Sequence, residues 1–257
     1  MKIIVTIKEM QAFSQQMHNE RKTIGFVPTM GYLHQGHLSL VEHAKKNNAI
    51  VVTSIYVNPT QFCKGEDFEK YPRDFEQDKK LLEDNDVDIL FYPSDKEMYP
   101  YEFTLLDYYS SLFDILCGKT RPGHFHGVVT IVKRLFDIIK PARTYFGQKD
   151  YQQSIVIKQM AKDLHIGTNI IVCPIIRESD GLAMSSRNVY LDKNERKSAL
   201  SLFNGLTYAK KLILEGEKNP EIVIEEIKKN ILKEENAKIA YVDIVHQKTL
   251  ASVDVIS

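Results

Sequence analysis

Short apolar runs, too brief for helices, alternate with longer amphipathic stretches through the first two-thirds of the chain. This alternation limits the fold more than any other feature. Residues 24–27, 49–57 (AIVVTSIYV), 87–92 (VDILFY), 144–146 and 169–176 (NIIVCPII) are β-branched and nearly continuous in apolar character. Such runs suit strands covered on both faces, as in a parallel sheet. Between them lie 37–47, 73–85, 128–139 and 151–164. In 128–139 (VVTIVKRLFDII) apolar positions recur every three or four residues, while Lys133, Arg134 and Asp137 take the other face. The order predicts a Rossmann-like α/β domain, a doubly wound parallel sheet, over residues 1–176. Beyond it, two long charged helical patterns, 193–214 and 220–235, precede a strand-like 240–245. These predict a smaller C-terminal α+β domain over 177–257.

Composition narrows the function classes. The 257 residues carry 34 basic and 34 acidic side chains. A formal charge of zero gives no support for electrostatic capture of nucleic acid or of an anionic membrane. Cys63, Cys117 and Cys173 are widely spaced and form no CxxC pattern. Neither a disulfide framework nor a thiolate zinc site is expected, and a reducing cytoplasm is the default. The N-terminal apolar run breaks at Lys8 and Glu9, too early for a signal-peptide core. No window reaches the apolar length of a membrane span.

The most specific local signal is GFVPTMGYLHQGHLSL, residues 25–40. An apolar run ends at Pro28, a turn holds Thr29, Met30 and Gly31, and His34 and His37 flank Gly36 where a helical pattern begins. Strand, turn and helix start in that order build a seat for a phosphate chain, with unpaired backbone N–H groups and the helix dipole aimed at the anion. The two imidazoles add side-chain donors. A bare HxxH pair more often only caps a helix; Gly31 and Gly36, which permit close backbone approach, favour a ligand here.

Three further segments carry polar groups at strand ends or turns. In YVNPTQF (56–62), Asn58 and Gln61 offer amides that both donate and accept, although an Asn-Pro turn can simply end a strand. FGQKDYQQ (146–153) places Lys149 where a compact positive charge meets a phosphate, with Asp150 as a possible helix cap. RPGHFHG (121–127) adds Arg121 and His124, which could be structural; four histidines across two motifs lack a third ligand spaced for zinc. DGLAMSSRN (180–188) groups two hydroxyls and a guanidinium, which could clamp a triphosphate or be an ordinary surface loop. Its place near the domain junction suits a closing lid.

Together these blocks resemble the pantothenate synthetase (pantoate–β-alanine ligase) family, within the nucleotidylyl transferases with HIGH-like and KMSKS-like motifs. PTMGYLHQGH resembles the first motif and MSSRN the second. VNPTQF, YPRD, RPGHF and FGQKDYQQ follow the family's intervening blocks in order, from about residue 25 to 191. The resemblance implies ATP-dependent condensation of pantoate with β-alanine through a pantoyl adenylate, releasing pyrophosphate and then AMP. It places Met30, Gly31, Tyr32, Leu33, His34, Gln35, Gly36 and His37 around ATP, with His37 as proton donor to the phosphates and His34 beside it. Gly147, Gln148, Lys149 and Asp150 would also contact ATP, with Lys149 on the phosphates. Ile176 would pack near the adenine, and Met184, Ser185, Ser186 and Arg187 would close over the triphosphate. Gln61 and Gln153 would hold pantoate, with Asn58 supporting that pocket. Asp78 resembles a position associated with Mg2+, although an Asp on a helix surface is usually just solvated. The family also implies a cytoplasmic homodimer that binds neither nucleic acid nor membrane.

Two departures stand out. His126 follows GHF where the family commonly has arginine, and the sequence ends at VDVIS, short of the closing segment of many members. The competing readings are a different adenylylating enzyme, acting on a phosphate or an RNA, and a nucleotide-binding module without turnover.

Overall fold

The computed structural model describes residues 1–101 and 104–257. The chain divides into two compact units, Met1–Ile176 and Arg177–Ser257. The elements of the first run in the order β1 (Lys2–Ile4), α1 (Ile7–Asn19), β2 (Ile24–Thr29), α2 (Gln35–Asn47), β3 (Ile50–Ile55), α3 (Phe75–Asp84), β4 (Ile89–Phe91), α4 (Asp95–Met98), α5 (Cys117–Thr120), α6 (His124–Ile139), β5 (Arg143–Gly147), α7 (Tyr151–Asp163) and β6 (Asn169–Cys173). The second contains α8 (Lys193–Leu214) and α9 (Pro220–Ile231).

Six strands form one sheet in the order β1-β4-β3-β2-β5-β6, and every pairing is parallel. Successive residues feed opposite faces. Phe26, Val52 and Phe91 join the core with Met10, Val128 and Val156 from α1, α6 and α7. Val27, Val51 and Leu90 join the core with Leu40, Val41 and Leu82 from α2 and α3. Both faces are covered, which is why these strands read as continuous apolar runs rather than as alternating ones. The chain steps outward from β2 through β3 to β4, then restarts at β5 on the other side of β2. The reversal between β2 and β5 is a topological switch point, where a crevice opens outside the strands' carboxyl ends.

The sequence reading missed β1 and α1. The signal was a helix-start pattern: the Thr6 hydroxyl accepts the Glu9 N–H and caps α1. The helix predicted from residue 73 begins at Phe75, because Asp74 caps it through the Gln77 N–H. In the second unit, α8 packs against α9 through Ala209, Val223, Ile227 and Ile231. A Cβ on Gly205 of α8 would lie 3.3 Å from Ile227, so the glycine sets how closely the two helices approach. Helix α9 stops at Ile231, short of the predicted residue 235. The strand expected over 240–245 is reduced to one antiparallel bridge, Val245 to Ser252.

Candidate active site

The switch point gathers three of the predicted segments by topology alone: β2 runs into the histidine turn, β3 into Asn58–Gln61, and β5 into Lys149. Side-chain hydrogen bonds then tie the first two together, through Thr29 to the Ser54 carbonyl and Gln61 to Met30.

The histidine turn is braced from several sides. The Thr29 hydroxyl donates to the Ser54 carbonyl at 2.7 Å and accepts the Gly31 N–H at 3.2 Å. The Tyr32 and Leu33 N–H groups donate to the two carboxylate oxygens of Asp78, at 2.7 and 2.6 Å. His34 is the N-cap of α2, and its Nδ1 accepts the Gly36 N–H at 3.1 Å. His37 Nδ1 accepts the His34 N–H at 3.4 Å, while the His34 carbonyl accepts the N–H groups of His37 and Leu38. From Gly31 to Leu38, every backbone N–H except that of Gln35 therefore has an acceptor among the described residues. The expected seat of unpaired backbone donors does not form: the histidines and Asp78 consume it.

The same capping gives the imidazoles a different role. Each Nδ1 accepts an N–H, so the neutral rings carry their protons on Nε2. The rings stand 4.1 Å apart. Burial first, and then the neighbouring His34 and Lys149, push the pKa of His37 down to about 3. His37 is uncharged at neutral pH. In this state it can donate a hydrogen bond through Nε2–H.

Asn58 braces the next loop. It is 1% exposed. Its oxygen accepts from the Thr60 N–H, the Thr60 hydroxyl and the Tyr99 hydroxyl. Its nitrogen donates to Gln61 Oε1 at 3.0 Å and to the Gly127 carbonyl at 3.2 Å. No capacity remains for a substrate, so Asn58 is a support for Gln61 rather than a ligand. That support leaves the Gln61 NH2 to donate to Met30 Sδ, 3.1 Å away. A Cβ on Gly127 would fall 2.1 Å from the Thr60 carbonyl, so this glycine lets α6 press against the Gln61 loop.

His124 joins the same loop from α6. Arg121 can only donate, so His124 Nε2 accepts from it at 3.0 Å, and His124 Nδ1–H donates to the Gln61 carbonyl at 2.8 Å. Burial, with the Arg121 charge, lowers the His124 pKa and keeps the ring neutral in this tautomer. Arg121 grips Glu66 through two hydrogen bonds, at 2.6 and 2.7 Å. Glu66, missed in the sequence, links the loop after Gln61 to the RPGHF block. His126 points its Nε2 at the Leu106 carbonyl, 2.6 Å away, and belongs to the packing of α6.

Beyond β5, Lys149 is exposed and lies 3.2 Å from Asp150. The two glutamines that follow have opposite employments. Gln152 is buried; it accepts the Cys117 N–H and donates to the Leu112 and Ile115 carbonyls. Gln153 is half-buried, and its amide has no side-chain partner among the described residues. Gly147 ends β5 in register with Cys173, and Ile176 is half-buried at the end of this unit.

Asp78 does not behave as a solvated surface residue. It is 2% exposed, on the stripe of α3 that carries Phe75 and Leu82. Burial raises its pKa, while the Leu33 and Tyr32 N–H groups oppose the rise. With both oxygens committed to the turn, Asp78 does not fit a magnesium ligand. Among the described residues no three His, Cys, Asp or Glu side chains cluster to hold a metal ion.

In the second unit, the loop of Met184, Ser185, Ser186 and Arg187 is held by its own surroundings. The Ser185 hydroxyl accepts the Arg187 N–H and starts a short 3-10 turn, Ser186–Tyr190. Asn188 donates to Glu178 and to the Ala183 carbonyl, and Arg196 bonds both Glu178 and Asp180 at 2.6 Å. Ser186 is buried; Met184, Ser185 and Arg187 are half-buried.

Comparison with known proteins identifies the family. The family model described as pantoate-beta-alanine ligase matches residues 2–256. The pantothenate synthetase of Thermotoga petrophila is 55% identical over 254 residues, 99% of this chain and 91% of the relative. That of Caldicellulosiruptor bescii is 52% identical over 249 residues, covering 97% and 88%. The crystal structure of pantothenate synthetase from Thermus thermophilus superimposes with a TM-score of 0.95 at 41% identity, covering 100% of this chain and 91% of that one. The ligase from Francisella tularensis, solved with beta-gamma ATP and beta-alanine, gives a TM-score of 0.77 at 41% identity, covering 90% and 86%.

Proposed function

The chain belongs to the pantoate–β-alanine ligase family, and from that membership we infer how its own residues divide the work. The reaction is the ATP-dependent condensation of pantoate with β-alanine through pantoyl adenylate. A carboxylate is a poor acyl donor because its leaving group would be oxide; adenylation replaces that with AMP. In the first step a pantoate oxygen bonds to the α-phosphorus as the bond to pyrophosphate breaks. Negative charge grows on the departing phosphates, so preorganised donors contribute most.

His34 and His37 supply two neutral Nε2–H donors, fixed by the capping geometry. Lys149 supplies a compact positive charge beside them. The Gln61 NH2, oriented by Asn58, and the unpartnered Gln153 amide hold pantoate's hydroxyl and carboxylate groups. Gly147, Gln148 and Asp150 form the turn that presents Lys149, and Ile176 packs near the adenine. Residues 177–257 act as a lid, with Met184, Ser185, Ser186 and Arg187 over the triphosphate. In the second step the β-alanine amine attacks the acyl carbon and AMP leaves.

Magnesium enters with ATP, which suits an ion that keeps several waters and binds through phosphates; no residue of this chain is assigned to it. The working form is a cytoplasmic homodimer. No helix among the described residues is long and apolar enough to cross a membrane.

The observation that supports this division of labour is that β2, β3 and β5, neighbours in one parallel sheet, run into the histidine turn, the Gln61 loop and Lys149 at their carboxyl ends. Mass spectrometry after mixing the protein with ATP, magnesium and pantoate, but no amine, tests the reaction. The expected product is an acyl-AMP of pantoate. Absence of that species, with AMP formed from a different acid, would refute it.

A further inference from the structure

We propose that Asp78 is a positioning residue for the phosphate seat: its carboxylate fills the backbone nest at Tyr32 and Leu33 and aims the two histidines that follow. The inference rests on the reading of this turn as the place where ATP's phosphates bind.

Gly31 and Tyr32 are consecutive residues in the left-handed region, with φ of +84° and +51°. A turn of this kind points successive N–H groups at one spot and makes a concavity for an anion. Here the anion comes from the protein itself. Asp78 reaches in from the first turn of α3, 45 positions from Leu33 in sequence, and gives one oxygen to each N–H. The fit leaves no slack: a Cβ on Gly31 would lie 2.9 Å from Asp78 Oδ2 and 3.0 Å from Ile55. The non-glycine Tyr32 adopts a conformation that persists only where its surroundings over-determine it. His34 follows two residues later, so the brace sets where both imidazoles stand although Asp78 touches neither. It also explains why phosphates are met here by side chains rather than by backbone donors.

Asp78→Asn tests this, because its NH2 would face one of the two N–H groups. AMP formation should fall about 100-fold, with the pantoate KM changed less than about twofold, as expected for a small misplacement of catalytic donors. The magnesium concentration for half-maximal rate should not move, and the His37 ring, expected to stay neutral from pH 8 to 5 in the parent protein, should begin to titrate within that range in NMR spectra. A marked rise in the magnesium required, with the His37 signal unchanged, would overturn the proposal. Should the variant not fold, hydrogen exchange on the parent protein decides. Protection of the Tyr32 and Leu33 amides that is equal with and without magnesium supports the brace. Fast exchange, or protection that appears only with magnesium, overturns it. The exchange experiment reads the brace alone, whereas full activity in His37→Ala would strike at the phosphate seat, so the two failures are distinguishable.

Discussion

His34 and His37 cap one helix end reciprocally: His37 Nδ1 accepts the His34 N–H, His34 Nδ1 accepts the Gly36 N–H, and the rings lie 4.1 Å apart. Capping and ligand binding were competing readings of this pair. The capping geometry is compatible with both, since it fixes the tautomer that presents Nε2–H.

Separating the two roles requires two substitutions. His37→Ala should lower the rate of AMP formation about 10²- to 10³-fold, the usual effect of losing one preorganised donor. It should also cost about 1 kcal/mol of stability through the lost cap. His37→Gln restores a capping-box side chain and should recover the stability without the rate. Urea midpoints and initial rates measured on the same preparations check this; full activity in the Ala variant would remove His37 from the chemistry.

The depressed pKa of His37 has a sign that can be measured. An unfolded histidine titrates near 6.5, whereas His37 in the fold titrates at about 3. Between those values the unfolded chain binds more protons, so the contribution is complete above about pH 6.5. It is lost by about 1.4 kcal/mol per unit as pH falls toward 3. His37→Gln should flatten the stability profile over that window. In NMR, the parent ring should stay neutral from pH 8 down to 5; a titration near 6.5 would contradict the structure.

Adjacent glutamines provide an internal control. Gln152→Ala leaves the Cys117 N–H and two carbonyls without their partner and should cost about 1–3 kcal/mol of stability. Gln153→Ala should leave the melting temperature near that of the parent and raise the KM for pantoate. The reverse pattern would exchange their assignments.

Gly127→Ala pushes a methyl group to within 2.1 Å of the Thr60 carbonyl. Overpacking of this kind costs about 1–3 kcal/mol, and here it displaces the loop that carries Gln61. Calorimetry should show the loss, and pantoate KM should rise more than ATP KM. Equal KM values in variant and parent would mean that the loop does not hold pantoate.

Some of this could be read from the chain alone because it depends on period and order. Continuous apolar runs such as IVVTSI and ILF belong to strands buried on both faces, and their alternation with amphipathic helices allows few topologies. The functional blocks were legible because turns and strand ends keep their chemistry within a few consecutive residues. What the sequence could not supply was the destination of hydrogen bonds between segments far apart in the chain. Asp78 resembled a metal-associated residue, yet folding buries it under the histidine turn; its spacing with Phe75 and Leu82 was the one local hint. Asn58 and Gln61 offered the same amide chemistry in sequence, and only the fold shows Asn58 saturated by Thr60, Tyr99, Gln61 and Gly127. A side chain's capacity to bind is what remains after its neighbours have been satisfied, and those neighbours are chosen only when distant segments pack. Residue types and their order are therefore settled in one dimension, while charge state, tautomer and free valence are settled in three.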